Sequence, residues 1–130
     1  MAVIESKYPI LVLSYNNCEI YCCHLDGYKN NLEALLHRLN QINTEISNKP
    51  AHAKYRIWYN VDDSCLNASI MRSITESIYG WQSHIFKIAF IGLKGIDKWR
   101  FDHMFDRMVG KRGIPKAYFT DAELAKEWLV

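Results

Sequence analysis

The chain has 130 residues, the size of one domain, and 49% of them are hydrophobic, which suffices for one sizeable core. Its 16 basic and 14 acidic residues leave a net charge of +2, a balance that argues against a nucleic-acid partner or an anionic membrane surface. No apolar run approaches the roughly 18 residues that a membrane-spanning helix needs. We therefore expect a single domain over residues 1–130 with no integral membrane segment.

The beginning of the chain and its cysteines indicate a cytoplasmic protein. Glu5 and Pro9 interrupt the apolar stretch that a signal peptide requires. Three of the four cysteines lie within residues 18–23 and form no CxxC pair. On a strand, Cys22 and Cys23 point to opposite faces, so they do not converge easily on one zinc ion. We expect structural thiols, no bound metal and no cofactor.

The first half of the chain predicts a hairpin, a helix and a further strand. Strands are expected over residues 9–15 and 18–25, joined by a turn at Asn16-Asn17. A stripe of leucine and isoleucine predicts an amphipathic helix over residues 28–46. Residues 54–60 favour a strand, because tyrosine, isoleucine and tryptophan dominate them.

The second half alternates helices and strands with short connections. Four apolar residues spaced four apart predict a helix over residues 66–78. Residues 87–93 read as a buried strand and residues 97–109 as an amphipathic helix. A short strand over residues 116–120 and a closing helix over residues 121–130 complete the chain.

The predicted order is ββαβαβαβα. An opening hairpin followed by βα units predicts an α/β fold with a five-stranded mixed sheet and about four helices. Ligand and partner sites in such sheets tend to lie where the strands end. The five histidines form no metal-ligand or nucleophile–base pattern, so we do not expect an enzyme, although an unrecognised one stays a lesser alternative.

The end of the chain carries several motifs in sequence order. They are the strand of residues 87–92 (KIAFIG), Lys98-Trp99 at the start of the third helix, Ala117-Tyr118-Phe119, and an acidic closing helix with Ala125, Trp128 and Leu129. With the element order, these motifs resemble the STAS domain, the fold of anti-sigma-factor antagonists. The resemblance is nearer to the divergent SpoIIAA-like family, which is grouped with STAS/SEC14 domains.

The resemblance draws attention to the loop before the second helix. In STAS antagonists this loop reads Asp-Ser-Ser-Gly-Leu, and a kinase partner phosphorylates its second Ser, which releases the anti-sigma factor. Here the stretch is Asp62-Asp63-Ser64-Cys65-Leu66, in which Asp63 replaces a Ser and Cys65 replaces the Gly. The resemblance therefore implies a bacterial, regulatory, non-enzymatic module that binds an anti-sigma factor or a kinase-like protein. Ser64 would be its phosphoacceptor.

The residues of this loop also permit a simpler role. Asp63 or Ser64 is suited to cap the second helix, a contribution of about 1 kcal/mol. A phosphate on Ser64 would be stabilised by free N–H groups at a helix N-terminus. The carboxylates of Asp62 and Asp63 would repel it.

A second hypothesis concerns the apolar side chains of the third helix. Trp99, Met104, Phe105 and Met108 would line a space beneath that helix, and methionine suits adaptable apolar surfaces. The SEC14 side of the resemblance implies a lipid or another hydrophobic ligand. The alternative is that most aromatic residues fill the core.

The sequence also leaves open a homodimer, which would form through an edge strand or through the apolar tail of residues 128–130.

Overall fold

The structure is a computed structural model that describes residues 10–110 and 113–130. Glu5 and Pro9, on which the expectation of no signal peptide rested, lie outside the described residues. The elements within them are β1 (Ile10–Tyr15), β2 (Cys18–His24), α1 (Leu32–Ser47), β3 (Tyr55–Asn60), α2 (Ala68–Gly80), β4 (Ile85–Ile91), α3 (Gly95–Met108), β5 (Lys116–Phe119) and α4 (Ala122–Leu129). The order differs from the expected ββαβαβαβα by one element, a short 3₁₀ helix (Gln82–His84) between α2 and β4.

The strands form one mixed five-stranded sheet with the spatial order β1-β2-β3-β4-β5. β1 is antiparallel to β2, and the remaining neighbours are parallel. Asn16 and Asn17 join β1 to β2 with φ angles of 48° and 65°, as the type I′ hairpin turn requires. The predicted α/β class, hairpin and mixed sheet are confirmed.

The helices are distributed unequally over the two faces of the sheet. Buried side chains of α1, α2 and α3 share the larger core cluster, whereas Ala125 and Leu129 of α4 pack in the smaller cluster on the opposite face. The sequential strand order is the cause. Each crossover connection between β2 and β5 has the same handedness and leads to the next strand in the same direction, so its helix lies on the same face of the sheet. The carboxyl ends of β2 to β5 consequently meet at one edge of the sheet.

The two adjacent cysteines of β2 lie on opposite faces, as predicted. Cys23 belongs to the larger cluster and Cys22 to the smaller one. Burial raises the pKa of the Cys22 thiol to about 11, and burial raises the pKa of Cys23 as well. Both therefore stay protonated near neutral pH, which suits packing and disfavours nucleophilic chemistry.

The first two α-helices begin later than the sequence pattern predicts. Asn31 caps α1, since its Oδ1 accepts a hydrogen bond of 3.2 Å from the amide of Ala34. Asn67 caps α2, since its Oδ1 accepts a bond of 2.9 Å from the amide of Ile70. The prediction that Asp63 or Ser64 caps α2 is therefore wrong, and residues 61–67 form a loop ahead of the helix.

Candidate functional site

Two loops pack against each other at the carboxyl edge of the sheet. One is the β2–α1 loop (residues 25–31) and the other the β3–α2 loop (residues 61–67). Backbone hydrogen bonds of 2.7–2.8 Å join them and their strands: Leu25 N to Asn60 O, Gly27 N to Asp62 O, Lys29 N to Asp63 O, and Cys65 N to Lys29 O. The parallel pairing of β2 and β3 thus continues beyond the strands, and both loops have a defined backbone.

Ser64 lies at the centre of this contact. Its hydroxyl donates a hydrogen bond of 2.5 Å to the carbonyl of Leu25 and accepts one of 3.2 Å from the amide of Tyr28. We call Leu25, Tyr28 and Ser64 the Ser64 junction. The candidate phosphoacceptor therefore holds two loops together and has no capping role in α2.

The β3–α2 loop also rests on the end of β4. Gly92 has a φ of 96°, and a Cβ added to it would lie 2.5 Å from the Cα of Asp62. The amide of Asp62 donates to Oδ1 of Asn60 at 2.9 Å, and Lys94 lies 3.9 Å from the Asp62 carboxylate. This exposed ion pair adds little stability, so Gly92 and the backbone bonds account for the loop's shape.

The residues of the predicted loop site differ in how far they are exposed to solvent. Asp62, Asp63 and Cys65 are exposed, Ser64 is partly buried, and Leu66 packs against the larger core cluster. Asp63 has a φ of 55°, a left-handed conformation that Asp tolerates better than most residues. The arrangement presents two carboxylates and a thiol to solvent on a fixed backbone.

The second predicted site lies in a different position from the one expected. The larger core cluster fills the space beneath α3, where Phe105 is 0% exposed and its ring centre lies 5.9 Å from that of Phe90. Phe105 therefore belongs to the core in this structure. Trp99, Met104 and Met108 instead line an open groove of about 600 Å³ between α2 and α3, which we call the α2–α3 groove.

The α2–α3 groove is also basic, a property that the sequence patterns missed. Arg72 of α2 and Arg100 and Arg107 of α3 line it, together with Glu76. The spacing of seven residues places Arg100 and Arg107 on the same face of α3, so this part was readable from the sequence. The contribution of Arg72 required knowledge of how α2 packs beside α3.

Asp102 and Asp106 of α3 pair with a lysine of β5, and both line a small pocket with His103 and Arg107 beside the groove. Lys116 Nζ lies 2.7 Å from Asp106 and 3.3 Å from Asp102, and the Tyr118 hydroxyl donates to Asp102 at 2.7 Å. Burial opposes the charge of Asp102, but Tyr118 and Lys116 outweigh it and lower its pKa. Burial and the neighbouring Asp102 raise the pKa of Tyr118. His103 stacks on Trp99 at 5.7 Å.

Comparisons with family models, with curated proteins and with solved structures find no match to this chain. Within the described part of the chain, no group of three or more His, Cys, Asp or Glu side chains is arranged to hold a metal ion. None of the helices over residues 10–110 and 113–130 combines the length and the apolar character needed to span a membrane. The two candidate sites that the structure presents are the β3–α2 loop and the α2–α3 groove.

Proposed function

We propose that this chain is a non-enzymatic STAS-like module of the bacterial cytoplasm that binds a regulatory protein through residues 62–66. The partner would be an anti-sigma factor or a kinase-like protein. The observation that carries the proposal is the Ser64 junction, in which the candidate phosphoacceptor hydroxyl bonds to Leu25 and Tyr28 at the exposed end of the sheet.

The loop is suited to partner binding because its surface is already ordered. Backbone bonds to the β2–α1 loop and the close approach of Gly92 hold Asp62, Asp63 and Cys65 in place. A surface that is ordered before binding loses less conformational entropy when a partner docks. The two carboxylates favour a partner with a basic contact patch.

Phosphorylation of Ser64 would act directly on this ordered surface. The hydroxyl proton that now bonds to Leu25 would be lost when the oxygen forms its bond to phosphorus. The phosphate carries a charge of about −1.5 to −2 and has acceptor oxygens. The carbonyl of Leu25 and the carboxylates of Asp62 and Asp63 would repel it, so we expect the two loops to separate and partner binding to change.

Reversing one charge on the loop tests this function. Chemical cross-linking in cells of the protein's own host should capture a partner with the wild-type chain and with Glu127→Lys. Asp62→Lys should lose the same partner, because it reverses a carboxylate on the proposed surface. Glu127→Lys is a matched control, since Glu127 is exposed on α4 at the opposite face of the sheet. A partner captured equally by all three proteins would contradict the proposed surface.

A second candidate function is the carriage of a hydrophobic small molecule or lipid. The volume of the α2–α3 groove, about 600 Å³, and its lining by Trp99 and three methionines support it. Its open shape counts against it, because carriers bury most of the ligand surface. A noncovalent adduct in a native mass spectrum of the protein isolated from its host, lost on denaturation, would support this function. A bare native mass would count against it.

A further inference from the structure

The most exposed large apolar side chains of the described residues are neighbours on α3. Trp99 is 66% exposed and Ile96 is 62% exposed. Trp99 lines the α2–α3 groove and stacks on His103, so its ring has a defined position although most of it faces water. An apolar surface that continues into a groove is typical of an interaction site.

The floor and rim of the groove differ in character. Met104 and Met108 supply an apolar lining whose flexible side chains can adapt to an incoming surface, and the buried Met71 forms the floor beneath them. The three arginines are exposed at the rim, and Glu76 is the carboxylate that lines the groove with them. Asp102 and Asp106 lie beside Arg107 in an adjoining pocket, where both pair with Lys116. Over residues 10–110 and 113–130, no acidic side chain forms an ion pair with Arg72, Arg100 or Arg107.

An apolar trough between two helices, with cationic groups at its rim, is complementary to an amphipathic helix with acidic flanks. Such helices place residues i, i+3, i+4 and i+7 into a groove. The lining residues of α3 run from Trp99 to Met108, which gives the trough a length of about 15 Å, or about three helical turns. The concave lining between α2 and α3 favours a helix that fills the groove, and the protruding side chains of Trp99 and Ile96 make a membrane surface the alternative that vesicle binding tests.

We propose that the α2–α3 groove binds an acidic amphipathic helix of a partner protein. The apolar stripe of that helix contacts Trp99, Met104 and Met108, and its Glu and Asp residues pair with Arg72, Arg100 and Arg107. This site is separate from the loop of residues 62–66 and does not depend on the function proposed for that loop.

Selection from a random peptide library, long enough for about three helical turns, tests this inference without a known partner. We expect the selected peptides to be rich in Glu and Asp and to carry apolar residues at helical spacing. Trp99→Ala should weaken the dissociation constant of the best peptide by about 30-fold or more, the size of a tryptophan hot spot. Arg107→Glu should weaken it by about tenfold and reduce its dependence on salt.

Two matched variants control for general effects of these changes. Leu124→Ala removes an exposed apolar side chain from α4, and Lys54→Glu reverses an exposed charge ahead of β3; neither residue lines the groove. Both should bind the peptide as the wild type does. All variants are first compared with the wild type by circular dichroism. Because Trp99 and Arg107 are exposed, their substitutions should leave the fold intact.

Several results would overturn the inference. A library that yields no binder, or binders that Trp99→Ala and Arg107→Glu leave unchanged, would exclude a helix site in this groove. Trp99-dependent binding to vesicles of phosphatidylcholine and phosphatidylserine, without peptide binding, would assign the surface to a membrane. A wild-type dimer that Trp99→Ala converts to a monomer would assign it to a second copy of the chain. Loss of the loop partner in Asp62→Lys has no bearing on these outcomes.

Discussion

The hydroxyl of Ser64 shows how a single residue can couple two segments that are distant in the sequence. It is 39 residues from Leu25 and 36 from Tyr28, yet it bonds to the backbone of both. No pattern in the sequence announces such a contact, since local rules associate a serine before a helix with a cap. The same bonds make Ser64 a site where a covalent change would alter the shape of a surface.

Replacing Ser64 with Ala should lower the free energy of unfolding by about 1–2 kcal/mol. The carbonyl of Leu25 would lose its donor and the amide of Tyr28 would lose its acceptor, in a partly buried position. Ser83→Ala is the control, because Ser83 is exposed in the 3₁₀ helix, and it should change the free energy by less than about 0.5 kcal/mol. Urea unfolding measures both values, and equal stabilities of the two variants would contradict the described junction.

Truncation of two aromatic residues of α3 should lower the free energy of unfolding by very different amounts. Phe105→Ala should cost about 3–5 kcal/mol, because its ring is fully buried against Phe90 and Phe101. Trp99→Ala should cost less than about 0.5 kcal/mol, because most of its ring faces solvent. Chemical denaturation distinguishes them. A small loss for Phe105→Ala would mean that the ring faces a ligand space, which is the second of the two alternatives that the sequence left open.

At the scale of elements, the start of α2 depends on Asn67. Asn67→Ala should destabilise the protein by about 1 kcal/mol, because the amide of Ile70 loses its capping acceptor. Asp63→Asn retains a residue type that tolerates positive φ and should change stability far less. Thermal and urea unfolding test the pair. An unchanged stability for Asn67→Ala would show that the start of α2 does not depend on this cap.

The contact between α3 and β5 should depend on pH. The folded pKa of Asp102 is lowered, so its contribution to stability is present above its unfolded pKa near 3.8 and is lost as the pH falls through the folded value. Asp102→Asn should therefore be less stable than the wild type at about pH 7, and the difference should shrink at about pH 3. Urea unfolding at both values checks this, with Asp97→Asn, on the same helix, as the control. A constant difference would exclude the proposed linkage.

At the scale of the whole molecule, sequence periodicity predicted much of the architecture and little of its surface. Alternation along strands and apolar spacing in helices gave the α/β class, and Asn16-Asn17 gave the hairpin, because these signals are local. The distribution of helices between faces depends on the spatial order of the strands. The basic character of the α2–α3 groove arises because Arg72 of α2 and Arg107 of α3 line the same groove. The distribution of the helices and the basic groove both arise only from tertiary packing.

The whole molecule presents two separate surfaces, the acidic β3–α2 loop and the basic α2–α3 groove. The two surfaces carry opposite charges because Asp62 and Asp63 follow β3, whereas the arginines lie along α2 and α3. We assign a regulated partner to the first surface and an acidic helix to the second. Regulation at Ser64 is the claim on which the proposed function chiefly depends.

The most direct test of that claim is the intact mass of the protein isolated from its own host in different growth phases, with the modified residue mapped by peptide sequencing. We expect one added phosphoryl group on Ser64 in at least one phase, and none in a strain that carries Ser64→Ala. A protein that stays unmodified in every phase, or one that is phosphorylated at another residue, would contradict the regulatory account.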